Sequence, residues 1–290
     1  MNVIIEDDSK KQKKLRIFYI SIIAICIIAI ILAFIIQIIR ENNPEYIKKK
    51  NETTVKLPEL TDDKISVYKE QFNNIFENKV NYLENNSYKI TKIKEDEEII
   101  YVGYKSVESK VNDFDLNVNI PYINIKSEDT EEFNKQIREI FEKKARSVLN
   151  TQNSNIIYTV DYSAYVTNNI LSLVVRSTLK EGGNPQRDIV QTYNYDLTNQ
   201  KKCSIDTLLE LKGLTKKEAN ENIKEEIKKV QQKVEELSKI GYTIYSRDYT
   251  SDIYSINNAT EYFIGKNNAL YIIYAYGNQN HTSEMDIVVM

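Results

Sequence analysis

One histidine, His281, and one cysteine outside the apolar N-terminal run, Cys203, are all that this 290-residue chain offers for nucleophilic or zinc chemistry. A zinc site needs several His, Cys or acidic ligands converging, and a thiolate nucleophile needs a base beside it. Nothing in the spacing brings Cys203 and His281 together, and His281 lies in the polar loop Gly277-Asn278-Gln279-Asn280-His281-Thr282-Ser283-Glu284. The run Glu95-Asp96-Glu97-Glu98 reads as a solvated face, because paired catalytic acids must converge from separate elements. Gly182-Gly183 lacks the Lys-Ser/Thr that follows a phosphate-cradling loop and belongs to a turn. No enzyme, cofactor or metal site is identified, and no ligand-binding residue is singled out. Tyrosine is the unusual excess, with 21 copies and no tryptophan. Tyr158, Tyr162, Tyr193, Tyr195, Tyr271 and Tyr274 fall at strand positions, where the ring packs and the hydroxyl stays wet. A surface for a peptide or glycan is the alternative use of such residues.

The elements that must position these residues begin with an apolar run from Ile17 to Ile39, long enough to span a hydrocarbon core of about 30 Å. Ser21 and Gln37 are its clearly polar members. A cleaved signal peptide would be shorter and would end in small residues, which Ile36-Gln37-Ile38-Ile39 does not supply. The basic cluster Lys10-Lys11-Gln12-Lys13-Lys14-Leu15-Arg16 places residues 1–16 in the cytoplasm and the remainder outside it. The expectation is a single-pass cell-membrane protein whose C-terminal part is extracytoplasmic. Cys26 lies in the span, so no disulfide can form within the outer part, a pattern that fits a bacterial surface protein. Beyond residue 16 the chain carries five more acids than bases, which argues against a nucleic-acid binder.

Residues 40–60, with Pro44 and Pro58, read as a stalk. Over 61–86 the positions Ile65, Tyr68, Phe72, Ile75, Phe76, Val80 and Leu83 recur at three and four, predicting an amphipathic helix. It either packs on the domain behind it or pairs with a second copy as a homo-oligomer. Residues 87–290 form the extracytoplasmic domain, with a sub-boundary near 125. Strands are predicted at Tyr88–Ile93, Ile99–Tyr104 and Asp115–Ile120, after which Pro121 breaks the ladder. A helix follows over Thr130–Leu149. Three further strands cover Ile156–Ala164, Ile170–Thr178 and Ile189–Leu197, the second apolar on both faces and therefore central. Thr215-Lys216-Lys217-Glu218 is a capping box that opens a helix ending at Gly241. A hairpin pairs Glu261–Gly265 with Ala269–Tyr276. Helices set among groups of strands, without regular βαβ repetition, indicate α+β architecture with antiparallel or mixed sheets.

The segment Phe114-Asp115-Leu116-Asn117-Val118-Asn119-Ile120-Pro121-Tyr122-Ile123, followed by Phe133-Asn134-Lys135-Gln136-Ile137, resembles the opening of a domain of unknown function. Lysozyme-sensing anti-sigma-V factors and some membrane polysaccharide deacetylases share that extracytoplasmic domain. The resemblance continues through Asp161-Tyr162, Ile170-Leu171-Ser172-Leu173, Gly182-Gly183 and Tyr193-Asn194-Tyr195-Asp196-Leu197-Thr198, covering roughly residues 88–290. Where that family often carries Ala-His-Pro after the two glycines, this chain has Asn184-Pro185. About 16 residues on the cytoplasmic side leave no room for a sigma-binding domain, and no catalytic domain follows. The resemblance therefore implies the ectodomain alone, a membrane-anchored binding or sensing module whose ligand is a cell-wall component or a secreted protein. The alternative is a structural or assembly protein of the envelope without a soluble ligand.

Overall fold

In a computed structural model of the chain, residues 72–83, 85–241, 245–275 and 285–290 are described, all within one compact unit, Lys56–Met290. The expected span at 17–39, the stalk at 40–60 and His281 lie outside the described residues. Among the described residues, no helix is long and apolar enough to cross a membrane.

The strands, in chain order, are β1 Val80–Tyr82, β2 Ile100–Lys110, β3 Phe114–Ile123, β4 Ile156–Thr167, β5 Ile170–Glu181, β6 Arg187–Asp196, β7 Lys201–Lys202, β8 Glu261–Ile264, β9 Leu270–Ala275 and β10 Met285–Val289. The helices are α1 Glu128–Ile137, α2 Lys143–Val148, α3 Ile205–Leu211 and α4 Lys216–Lys239, with a π segment, Arg138–Glu142, joining α1 to α2. A seven-stranded main sheet runs β2-β3-β4-β5-β6-β7, and β1 pairs with β4; a second sheet runs β10-β9-β8. The architecture is mixed α+β, and β5 is central in the main sheet.

Four layers follow from which residues each strand turns to each side. Phe133, Ile137, Phe141, Ala145 and Val148 of the helical crossover pack on Leu116, Val160, Leu173 and Tyr193. The crossover is needed because β3 and β4 run parallel, which a tight hairpin cannot connect. The other face of the main sheet meets the second sheet through Tyr165, Val174, Val190, Phe263, Tyr271 and Ile273. The outer face of that second sheet is covered by Leu208 and Leu209 of α3 and Ala219, Ile223 and Ile227 of α4. The capping box forms as expected, Thr215 Oγ1 accepting from the Glu218 amide and the Glu218 carboxylate accepting from the Thr215 amide. Gly241, at φ 98°, follows the last turn. Asp286 of β10 is held inside this layer by Arg247 Nε at 3.4 Å and the Tyr254 hydroxyl at 2.9 Å.

Three expectations fail for identifiable reasons. The helical period over 61–86 does not continue through its described part, where Phe72–Asn74 is a single 3₁₀ turn and Val80–Tyr82 is strand β1. The exposed edge of β4 beyond Asp161 needs backbone partners, and β1 supplies them in parallel register, Val80 opposite Ala164 and Tyr82 opposite Val166. Pro121 does not break the ladder: β3 runs on to Ile123, and Pro121 pairs with Val102 at a register shift next to Gly103. Tyr88–Ile93 forms no strand and joins neither sheet. The amides of Ile93 and Lys94 bond instead to Asn124 Oδ1, at 3.1 and 2.8 Å. Many turns are made by asparagine, since nine asparagines and Gln200 take positive φ among the described residues.

Candidate functional site

The edge of β4 changes partners midway, and the change opens a cleft. From Phe114 to Val118, β3 pairs with Ile156 to Val160; beyond that point β3 leaves and β1 takes over at Ala164. Asn78 fills the interval as a backbone surrogate. Its amide donates to the Tyr162 carbonyl at 2.8 Å, its Oδ1 accepts from the Tyr162 amide at 3.0 Å, and its Nδ2 donates to Asp161 Oδ1 at 2.7 Å. This geometry needs φ 56° at Asn78, a left-handed value that asparagine tolerates better than most residues. Ser163 adds a second pin, its hydroxyl donating to the Ile75 carbonyl and accepting from the Glu77 amide.

Between β1 and the start of β2 lies a concavity of 380 Å³ lined by Tyr82, Tyr101, Tyr162, Val102, Glu97 and Glu98, among others. Tyr82 is half exposed, and its hydroxyl donates to Glu98 Oε2 at 2.7 Å. Burial first, and then the Glu98 carboxylate, push the Tyr82 phenol above its ordinary range. Burial and the same carboxylate act likewise on Tyr88. Tyr101 stands between this cleft and a second, more open concavity of 720 Å³ bordered by Ile93 and the acidic first turns of α1. A chain of contacts fixes its ring. Tyr101 meets Tyr122 edge-on at 5.9 Å, Arg138 lies over the Tyr122 ring at 4.7 Å, and the Tyr122 hydroxyl bonds to Glu142. Gly103 makes room for this stack, because a Cβ there would sit 2.2 Å from the Tyr122 ring. Lys94 Nζ lies 4.1 Å from the centre of the Tyr101 ring.

The residues considered first for chemistry are distributed elsewhere. Cys203 is buried beside α3, and burial pushes its thiol up to about 12, so the nucleophilic thiolate is suppressed. Tyr158, Tyr162, Tyr193, Tyr195, Tyr271 and Tyr274 are buried, as strand packing predicts, but the hydroxyls of Tyr193, Tyr195 and Tyr274 are buried with the rings instead of staying wet. Glu95 to Glu98 are exposed, and Glu97 and Glu98 reach the cleft wall, which the sequence reading did not anticipate. Burial raises Glu261 to about 7, but its carboxylate sits between the sheets, accepting from the Thr192 amide at 2.6 Å and the Thr192 hydroxyl at 3.0 Å. Burial lowers Lys212 to about 8, and its ammonium donates to the Asn268 carbonyl at 2.6 Å. Neither lines the cleft. Among the described residues no group of three or more His, Cys, Asp or Glu is placed to hold a metal ion. What the cleft offers is tyrosine ring surface beside carboxylates.

Tyr82 and Tyr101 carry the cleft, yet neither stood out in the sequence. The available signal was local: an acidic run, 95–98, running directly into a strand that opens Ile99-Ile100-Tyr101-Val102.

No family model and no curated protein matches the chain. Among solved structures, it is similar to a DUF3298 family protein from Pseudomonas aeruginosa PAO1, with a TM-score of 0.36 and 11% identity over 70% of this chain and 90% of that one. It is also similar to a member of the DUF3298 family from Bacteroides fragilis NCTC 9343, with a TM-score of 0.34 and 10% identity over 60% of this chain and 80% of that one.

Proposed function

We propose that this protein is a membrane-anchored, extracytoplasmic binding module of a bacterial cell envelope, and that it acts by binding rather than by catalysis. The observation that carries this reading is the cleft between β1 and β2. There a half-exposed tyrosine, a second tyrosine ring held edge-on by a third, and two carboxylates converge without an activated nucleophile beside them. Aromatic surface with a few polar groups at the mouth of a concavity is the usual composition of a recognition site. The apolar run 17–39 and its basic cytoplasmic flank support the anchor and the orientation. The resemblance to the extracytoplasmic domain of lysozyme-sensing factors and polysaccharide deacetylases supports a cell-wall component or a secreted protein as the ligand.

Two measurements test this. Protease added to intact cells should degrade the part of the chain beyond residue 40, and full protection would place the domain inside. Full-length protein should co-sediment with purified peptidoglycan or be retained on immobilised lysozyme, and Tyr82→Ala/Val102→Asp should reduce that retention at least fivefold. Equal retention of the variant would remove the cleft from the reading.

A further inference from the structure

We infer that the cleft between β1 and β2 receives an alkylammonium head, such as the lysine side chain of an extended peptide segment. This rests on the reading of the domain as a binding module and names the chemistry of its occupant. Charge supports it. Glu97 and Glu98 line the cleft, Glu95 and Asp96 precede them, and the one lysine in the lining, Lys79, is engaged by Glu77 at 2.7 Å. An anionic ligand would therefore face carboxylates without a free base among the described lining residues. Ring surface supports it too. The chain itself lays an ammonium, Lys94 Nζ, over the Tyr101 ring at 4.1 Å from its centre, so this ring already takes a cation on one of its faces.

The third observation is Tyr162. It lines the cleft while only 3% exposed, and its hydroxyl has no hydrogen-bond partner among the described residues. A phenol oxygen with no protein partner at the wall of a cleft can accept from an entering donor, and an ammonium brings three N–H groups. Size agrees, since 380 Å³ lies near the lower end of ligand pockets and suits a single side chain better than the face of a folded domain. A peptide side chain is thus preferred over a rigid protein surface.

Calorimetric titration of the full-length protein with hexalysine is the test, with Nε-acetylated hexalysine as the neutral control and an N-acetylglucosamine tetramer as the glycan probe. Hexalysine should bind and its acetylated form should bind at least tenfold more weakly. Tyr82→Ala and Glu97→Gln should each weaken hexalysine about tenfold, whereas Glu235→Gln/Glu236→Gln on the exposed side of α4 should change it less than twofold. Thermal unfolding of each variant confirms that it folds. Equal weakening by the α4 variant would reduce the effect to net charge and overturn the inference. So would equal binding of the acetylated peptide, or binding of the glycan alone. If hexalysine fails while peptidoglycan or lysozyme is still retained in a Tyr82-dependent way, the ammonium is wrong and the binding module stands. If both fail, the module itself falls.

Discussion

The two faces of the main sheet are covered in different ways. On the helical face the contact is mostly apolar, with Asn134 of α1 accepting from the Ile123 amide at 2.8 Å and donating to its carbonyl at 2.9 Å at the end of β3. Phe133, Ile137, Phe141 and Val148 press on alternate residues of β3, β4, β5 and β6, and the Tyr193 and Tyr195 hydroxyls remain buried there without a partner. On the opposite face the second sheet is pinned by polar bonds. Ser172 Oγ donates to Asn194 Oδ1 at 2.6 Å and accepts from the Ile264 amide at 3.1 Å, and Asn194 Nδ2 donates to the Tyr262 carbonyl at 2.7 Å. The Glu261 carboxylate accepts from the Thr192 amide and hydroxyl, and the Thr192 hydroxyl accepts from the Tyr262 amide. A helix can settle on a sheet wherever its side chains interdigitate. Strand β8, by contrast, brings unpaired backbone groups that must be matched one by one. Volume does most of the holding on the first face, and hydrogen-bond position specifies the second.

Substitutions on either side of this divide should behave differently. Phe141→Ala, which empties the centre of the helical face, should have the largest effect. We expect a loss of about 3–5 kcal/mol in urea unfolding, and a loss under 1 kcal/mol would mean that volume is not what holds this face. Asn194→Leu keeps the branched shape but leaves the Tyr262 carbonyl and the Ser172 hydroxyl proton unmatched, at about 2 kcal/mol; no change would show that the pins are incidental.

Glu261 gives the polar face a pH dependence. Its folded-state pKa, about 7, lies above the ordinary carboxylate value. The contribution of this group is therefore fully present below about pH 4.5 and is lost as pH rises through 7. The wild type should lose on the order of 1–2 kcal/mol from this source between pH 5 and pH 8. Glu261→Gln should flatten that slope, and an unchanged slope would assign it elsewhere. Tyr193→Phe should have the smallest effect, within about 0.5 kcal/mol, because the hydroxyl it removes has no partner. Tyr193 and Asn194 are sequence neighbours, so the pair of variants reads the two faces from adjacent positions.

Much of this layering was written in local patterns. Alternation marked β4, and the double-sided apolar character of β5 placed it centrally. Thr215 and Glu218 announced α4, because a capping box depends on residues three apart and on nothing distant. The failures share the opposite cause. Phe72, Ile75, Phe76, Val80 and Leu83 are spaced for a helix, and all are wholly or partly buried, but the edge of β4, some 80 positions away in sequence, decides that Val80–Tyr82 is extended. Pro121 is tolerated because the partner strand bulges at Gly103, a property of β2 rather than of Pro121. Tyr88–Ile93 alternates like a strand yet finds no free edge. The cleft was illegible for the same reason, being assembled from residues of the 80s, the 90s and Tyr162. Asparagine hid several turns that glycine would have advertised, at Asn112, Asn168 and Asn267 among others.

Strand β1 also has a mechanical meaning. It is three residues long, it follows Phe72 in the chain, and it forms one wall of the cleft. Among the described residues, tension entering from the N-terminal direction reaches Phe72 first, then the Asn78 clamp and the short ladder to β4. A molecule gripping both Tyr82 and Tyr101 would join that first-loaded strand to β2 and raise the force needed to peel it away. Occupancy of the cleft would thereby be coupled to resistance to pulling through a single strand of three residues.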